Sequence, residues 1–220
     1  MEVARNVSLR DVFEAKNLAR VIEYIRNKTN EDLSLDLILL LHQILIGNID
    51  YSIAGRLRKR NEYVRVGNHI APAPEHIERM LEDALVEYSS DGSSYFIDKI
   101  SKFHLLFETI HPFNDGNGRI GRVLINYQLH KLGYPGIIIR DKEKQVYYRS
   151  FGEYRDSKTI KIMTRILLLA LMEALNKRIA YLRGSKIVGV AEYAQSIVKP
   201  VPAVLNAAKR QTIAAFRERG

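Results

Sequence analysis

Residues 111–122 read His-Pro-Phe-Asn-Asp-Gly-Asn-Gly-Arg-Ile-Gly-Arg, a polar, Gly-rich break between two stretches whose apolar residues recur at helical spacing. The helix before it is expected over 97–110, with Phe103, Leu106, Phe107 and Ile110 on one face. The helix after it is expected from near Arg119 to Gly133. The glycines let successive backbone N–H groups turn toward one concavity, and a helix opening at Arg119 adds its positive dipole end. An anion is expected there.

The side chains of the segment agree. Arg119 and Arg122 are three residues apart on one helical face, and two planar donor forks side by side suit a di- or triphosphate. Asp115 is a hard oxygen ligand on the same loop, and Mg²⁺ takes one or two carboxylates together with phosphate oxygens and water. His111 is the segment's single base candidate, with an ordinary pKa of about 6.5. The implied ligand is a metal-bound nucleotide.

The rest of the chain reads as helices with little strand. Helical periodicity marks 9–27 (Leu9, Val12, Phe13, Leu18, Val21, Ile22, Ile25), the almost wholly apolar 35–46, 75–88 behind Pro72 and Pro74, and 160–182. From 55 to 74 that period lapses, and Tyr63-Val64-Arg65-Val66 alternates before Gly67-Asn68, so an exposed hairpin flap is expected. No repeat of solenoid length interrupts the pattern.

Gly184-Ser185 is the expected boundary between a main domain, 1–183, and a small module, 186–220. In that module two short helices, 190–197 and 203–210, flank Pro200-Val201-Pro202, the outline of a helix-turn-helix whose wing is cut short at Arg219-Gly220. Lys209, Arg210, Arg217 and Arg219 would suit DNA contact there, and a module for protein contacts is the equal alternative.

Composition narrows the classes further. The chain has no cysteine, which excludes disulfides, thiolate metal sites and cysteine nucleophiles together. Its first residues lack a signal pattern, and no apolar run approaches the roughly 18 residues of a membrane span, so a cytoplasmic protein without membrane contact is expected. Thirty-four Lys and Arg against 25 Asp and Glu give a net charge of +9. That surplus fits nucleotide phosphates, nucleic acid or plain solubility alike. Oligomeric state stays open.

The segment resembles the Fic family motif: His, any residue, Phe, any residue, Asp or Glu, Gly-Asn-Gly-Arg, two residues, Arg. Residues 111–122 match each fixed position. Phe107-Glu108-Thr109-Ile110, Gly55-Arg56, His69 to Pro74, Leu124-Ile125-Asn126, Gly133-Tyr134-Pro135 and Tyr147-Tyr148 are similar to the family as well, so the likeness covers roughly 10–183. It implies a mainly α fold, a Fic-type helical bundle with a short β-hairpin flap, beside which the C-terminal module is helix-turn-helix or winged-helix-like.

The resemblance also implies an activity, that of a protein adenylyltransferase. Such an enzyme transfers AMP from ATP to a Ser, Thr or Tyr hydroxyl of a target protein, itself included, aligned at the flap by strand addition. By position, His111 is the general base and Asp115 holds Mg²⁺. Gly116, Asn117 and Gly118 cradle the α-phosphate, while Arg119 and Arg122 hold the β- and γ-phosphates. Phe113 is an apolar plug, and Asn126 either reaches the nucleotide base or packs between helices. Gly118 favours AMP transfer over phosphorylation, because the kinase-like branch departs from Gly-Asn-Gly.

Many relatives carry an inhibitory helix with Ser or Thr, three residues, Glu, then Gly or Asn, and this chain has no such sequence. The expectation is a protein that is unbraked or restrained in trans, unless Glu2 or Glu14 of the N-terminal helix reaches Arg122. A DNA-binding regulator with a nucleotide-sensing Fic domain is one alternative. Removal of AMP from modified proteins is another, and it would be poor without the inhibitory Glu.

Overall fold

A computed structural model describes residues 7–28, 31–140 and 143–218. Among them the chain forms α1 (Leu9–Asn27), α2 (Leu35–Ile46), β1 (Arg65–Val66), β2 (His69–Ile70), α3 (Pro74–Ser90), α4 (Phe96–Ile110), α5 (Asn117–Lys131), α6 (Lys144–Ser157), α7 (Lys161–Leu182), α8 (Val190–Ser196) and α9 (Val201–Lys209). The architecture is mainly helical, as expected. Two of the helix starts are written in the sequence. Ser8 and Asp11 form a reciprocal capping box at α1, and the Ser34 hydroxyl accepts from Leu37 N at 3.2 Å at α2. The flap is a two-residue antiparallel pairing, Arg65 opposite Ile70 and Val66 opposite His69, turned through Gly67 at φ 58°.

Two buried clusters hold the bundle. In the first, Val21 and Ile25 of α1, Ile38, Leu41 and Leu45 of α2, and Ile77 and Leu81 of α3 meet Phe103 and Phe107 of α4 and Leu124 and Tyr127 of α5. In the second, Leu105 and Ile125 meet Tyr147, Phe151, Met163 and Leu167. Helices α4 and α5 contribute to both clusters. The break between them is therefore clamped from two sides.

The structure departs from the sequence reading in three places. Helix α6 was not anticipated, because its buried stripe, Tyr147, Ser150, Phe151 and Tyr154, puts only three large apolar side chains among 14 residues. Helix α5 starts at Asn117 rather than Arg119, because Gly116 takes a left-handed conformation, φ 83°, as its N-cap. Helix α9 begins at Val201, its first turn preset by Pro202.

Beyond α9 the chain folds back along α7. Arg217 pairs with Glu173 at 3.1 Å, Asn176 donates to Gln211 at 2.8 Å, and Tyr181 faces Phe216. No strand follows α9 among the described residues. Arg217, one of the residues that would suit DNA contact, is paired with Glu173 of α7, while Arg219 lies outside the described residues. No described helix is long and apolar enough to cross a membrane.

Candidate active site

The loop between α4 and α5 is built around Phe113 and Asn117. Phe113 is fully buried, stacked on His42 of α2 with centroids 3.7 Å apart and planes 4° from parallel. Asn117, also buried, donates to Phe113 O at 2.7 Å and accepts from Phe113 N at 2.9 Å, so its side chain closes the turn. Its contribution to any phosphate cradle is therefore its backbone N–H alone. In the first turn of α5 the amides of Asn117, Gly118 and Arg119 have no acceptor inside the helix.

His42 ties the loop to the rest of the protein. Gly55 N donates to its Nδ1 at 3.0 Å, which fixes the tautomer, and Nε2–H then donates to Asp115 O at 3.0 Å. Burial pushes the His42 imidazolium down to about 4, so the ring is neutral at neutral pH.

His111 ends α4 in a left-handed conformation, φ 51°, unusual for a residue with a Cβ. Buried Arg58 holds it there: Nε donates to His111 O at 2.9 Å, and Nη1 and Nη2 donate to Glu62 O and Pro72 O. One guanidinium thereby joins the base of the flap to the loop. The imidazole of His111 is mostly buried, and burial pushes it down to about 4 against the raising effect of the Glu108 backbone. Across the neutral range it is free to accept a proton.

Beneath His111 lies Glu108, whose Oε2 is 3.9 Å from His111 Nδ1. Burial pushes its carboxyl up to about 7, with Arg122 pulling the other way. Gly121 makes room for it, since a Cβ there would sit 2.7 Å from Glu108 Oε1 and 2.8 Å from His104 Cε1. Arg122 lies over the first turn of α5, its Nη1 3.3 Å from where a Gly118 Cβ would stand.

On the outer face, Asp115 Oδ1 accepts from Gly116 N at 2.6 Å and from Arg119 at 3.2 Å, and Oδ2 accepts from Arg10 of α1 at 2.6 Å. Glu14, one turn along α1, meets Arg119 at 3.1 Å. Glu14, named from the sequence as one residue that could act as a brake on Arg122, pairs with the first motif arginine instead. Glu2 lies outside the described residues. Asn126 has its amide committed elsewhere: Oδ1 accepts from Ile137 N at 2.7 Å, and Nδ2 donates to Ile137 O and Arg122 O. These bonds hold its amide between α5 and the segment at Ile137. Tyr147 is likewise buried against His104, and Tyr148 is exposed. Arg119, Arg122 and Asn126 border a cavity of about 640 Å³ that runs between α1, α5 and α7.

Known proteins place this arrangement. The Fic/DOC family profile matches residues 32–129. That stretch is a Fic/DOC domain. Protein adenylyltransferase fic-1 of Caenorhabditis elegans is 35% identical over 127 residues, 56% of this chain and 24% of that protein. Protein adenylyltransferase Fic of Nematostella vectensis is 30% identical over 146 residues, 64% of this chain and 34% of that protein. The chain thus spans a quarter to a third of these relatives. A Fic domain containing signalling protein of Bacteroides thetaiotaomicron superposes with a TM-score of 0.72 at 25% identity, over 84% of this chain and 77% of that one.

The structure adds four residues to those read from the motif, three of them, His42, Arg58 and Glu108, inside the matched stretch. His42 and Arg58 position the loop, Glu108 lies under His111, and Arg10 stands on Asp115. A histidine in an apolar helix and an arginine in a polar loop give no local sign of such partners. Glu108 had one signal, an acidic residue on the buried face of α4, one turn before His111.

Proposed function

We propose that this chain is a protein adenylyltransferase. Neutral His111 takes the proton of a Ser, Thr or Tyr hydroxyl on a target protein; the hydroxyl oxygen attacks the α-phosphate of ATP, the bond to the β-phosphate breaks, and pyrophosphate leaves. The observation that carries this reading is the helix break itself. It sets a buried, neutral imidazole at the end of α4 across a short turn from the free amides, Arg119 and Arg122 at the start of α5. Donors aimed at the phosphates before reaction stabilise the charge that develops in it. The names of the relatives, protein adenylyltransferases, support the same activity.

The donor set fits Mg²⁺ held chiefly by its nucleotide. Among the described residues no three acidic or histidine side chains gather around one point, and Asp115 is the motif's one carboxylate, partly exposed and paired with Arg119. Mg²⁺ is bound in this manner at many phosphoryl sites, by one or two carboxylates plus phosphate oxygens and water. Asp115 would hold it, and the ion would neutralise phosphate charge. Gly116, Gly118 and the Asn117 amide cradle the α-phosphate in this reading, and Arg119 and Arg122 take the outer phosphates.

The flap is the docking edge for the target. His69 donates from Nε2 to Thr109 O at 2.8 Å, which ties β2 to α4 while the outer side of the hairpin stays exposed. The segment 186–220 is read as an accessory module. Intact-mass analysis after incubation with ATP and Mg²⁺ tests the function: a gain of one AMP per modified site, on this chain or on a partner protein, is expected. Transfer of the γ-phosphate instead would sink it.

A further inference from the structure

Four charged side chains form a closed ring of alternating sign across α1 and the motif loop. Arg10 meets Asp115 at 2.6 Å, Asp115 meets Arg119 at 3.2 Å, Arg119 meets Glu14 at 3.1 Å, and Glu14 returns to Arg10 at 3.0 Å. Each of the two intrahelical or loop pairs spans four residues, and the two remaining pairs cross between elements. The ring engages the carboxylate proposed to hold Mg²⁺ and the first of the two phosphate arginines at once.

We propose that the first two turns of α1 are a latch that competes with the metal–nucleotide complex for Asp115 and Arg119. The inference rests on the transferase reading of that site, and it deepens it by assigning its regulation. The inhibitory arrangement expected from the family engages the second motif arginine through a glutamate; here the first arginine is engaged, and a cation of the chain sits on the metal carboxylate.

The exchange matches sign for sign. A divalent cation on Asp115 replaces the Arg10 guanidinium, a phosphate on Arg119 replaces the Glu14 carboxylate, and Arg10 and Glu14 leave already paired with each other. No charge is stranded on either side. The latch is also built to move. Buried Asn17 fastens α1 to the end of α2 by donating to Leu45 O at 3.0 Å and to Gly47 O at 2.5 Å, and Val21 and Ile25 pack into the core behind it. Ahead of Asn17, Leu9 and Val12 are exposed, and among the described residues the ring pairs Arg10–Asp115 and Glu14–Arg119 join these turns to the motif. Partly exposed ion pairs are individually weak and salt-sensitive. Such a latch opens without unfolding the domain.

The test uses the full chain and three variants, Arg10→Ala, Glu14→Gln and the double variant, whose thermal unfolding confirms that each folds. Mn²⁺ with α,β-methylene-ATP, which blocks AMP transfer, is titrated while free Mn²⁺ is followed by electron paramagnetic resonance. Each single variant is expected to bind the Mn²⁺–nucleotide pair about three- to tenfold more tightly than the parent, and raised salt is expected to narrow the difference. The double variant should gain less than the product of the two, because both act on one ring. Equal affinities in parent and variants, with transfer from ATP intact, would overturn the latch alone. No binding of the pair by the parent or any variant would overturn the transferase reading and the latch together.

Discussion

The ring of His42 lies flat on Phe113, 3.7 Å from centroid to centroid, and the same imidazole bridges Gly55 N and Asp115 O. One side chain of α2 thus supports the apolar plug of the loop and orients the peptide next to the proposed metal carboxylate. Replacing Phe113 with Ala removes a fully buried ring and is expected to cost about 3–5 kcal/mol of stability. His42→Ala is expected to cost less, but to weaken nucleotide binding by leaving Asp115 O and Gly55 N unpaired. Urea unfolding beside nucleotide titration separates the two; unchanged nucleotide affinity in His42→Ala would remove His42 from the site.

His111→Ala should lower AMP transfer by about a hundredfold or more, the usual range for loss of a general base, with nucleotide affinity little changed. The assay is incorporation from α-labelled ATP beside equilibrium binding. Transfer equal to the parent's would exclude His111 as the base.

Asp115→Ala should raise the Mg²⁺ concentration needed for nucleotide binding, since one of the few oxygen ligands available to the ion is lost. A superimposable Mg²⁺ titration in variant and parent would exclude Asp115 as a ligand.

Arg58 donates to four backbone carbonyls, those of His111, Glu62, Pro72 and Ile110. Arg58→Met should leave those carbonyls without a donor and free the left-handed His111 to relax, with Lys a poor substitute because it lacks the planar fork. Amide exchange over residues 58–62 and 110–113 is expected to speed up in the variant. Protection equal to the parent's would show that the flap and loop are held some other way.

Stability should fall as pH drops from about 6.5 toward 4. Burial depresses the folded-state values of His42, His104 and His111, so each keeps its ring neutral in the native state and takes up a proton on unfolding below 6.5. Their stabilising contribution is present above the unfolded value and is lost as pH falls toward the folded one. Glu108 acts oppositely: raised to about 7, it is protonated in the folded state and releases its proton on unfolding above about 4.5. Between about pH 4.5 and 6.5 these three histidines, with His130 lowered by burial in the same direction, outweigh Glu108, so unfolding takes up protons on balance and stability rises with pH along a positive slope. Glu108→Gln should steepen it. Denaturant midpoints measured across this range would contradict the assignment if they stayed flat.

The positions of most helices were legible in the sequence because their signals are local: apolar residues at helical spacing, with Gly67 and the motif glycines where the chain turns. Residues 111–122 were legible for the same reason, since the base, the carboxylate and both arginines fall within twelve residues and their spacing alone puts them around one helix start. Helix α6 was missed because its buried stripe is thin and makes sense only against the faces of α4 and α7. What holds the site in shape came from the tertiary structure. Arg58 reaches His111 across 53 residues, His42 reaches Asp115 across 73, and Arg10 reaches Asp115 across 105. Those contacts arise from how helices pack, and packing decides whether a polar side chain meets solvent or a buried carbonyl. The sequence named the groups proposed to do the chemistry; the arrangement of α1, α2 and the flap around them decided their protonation, their orientation and their access to a ligand.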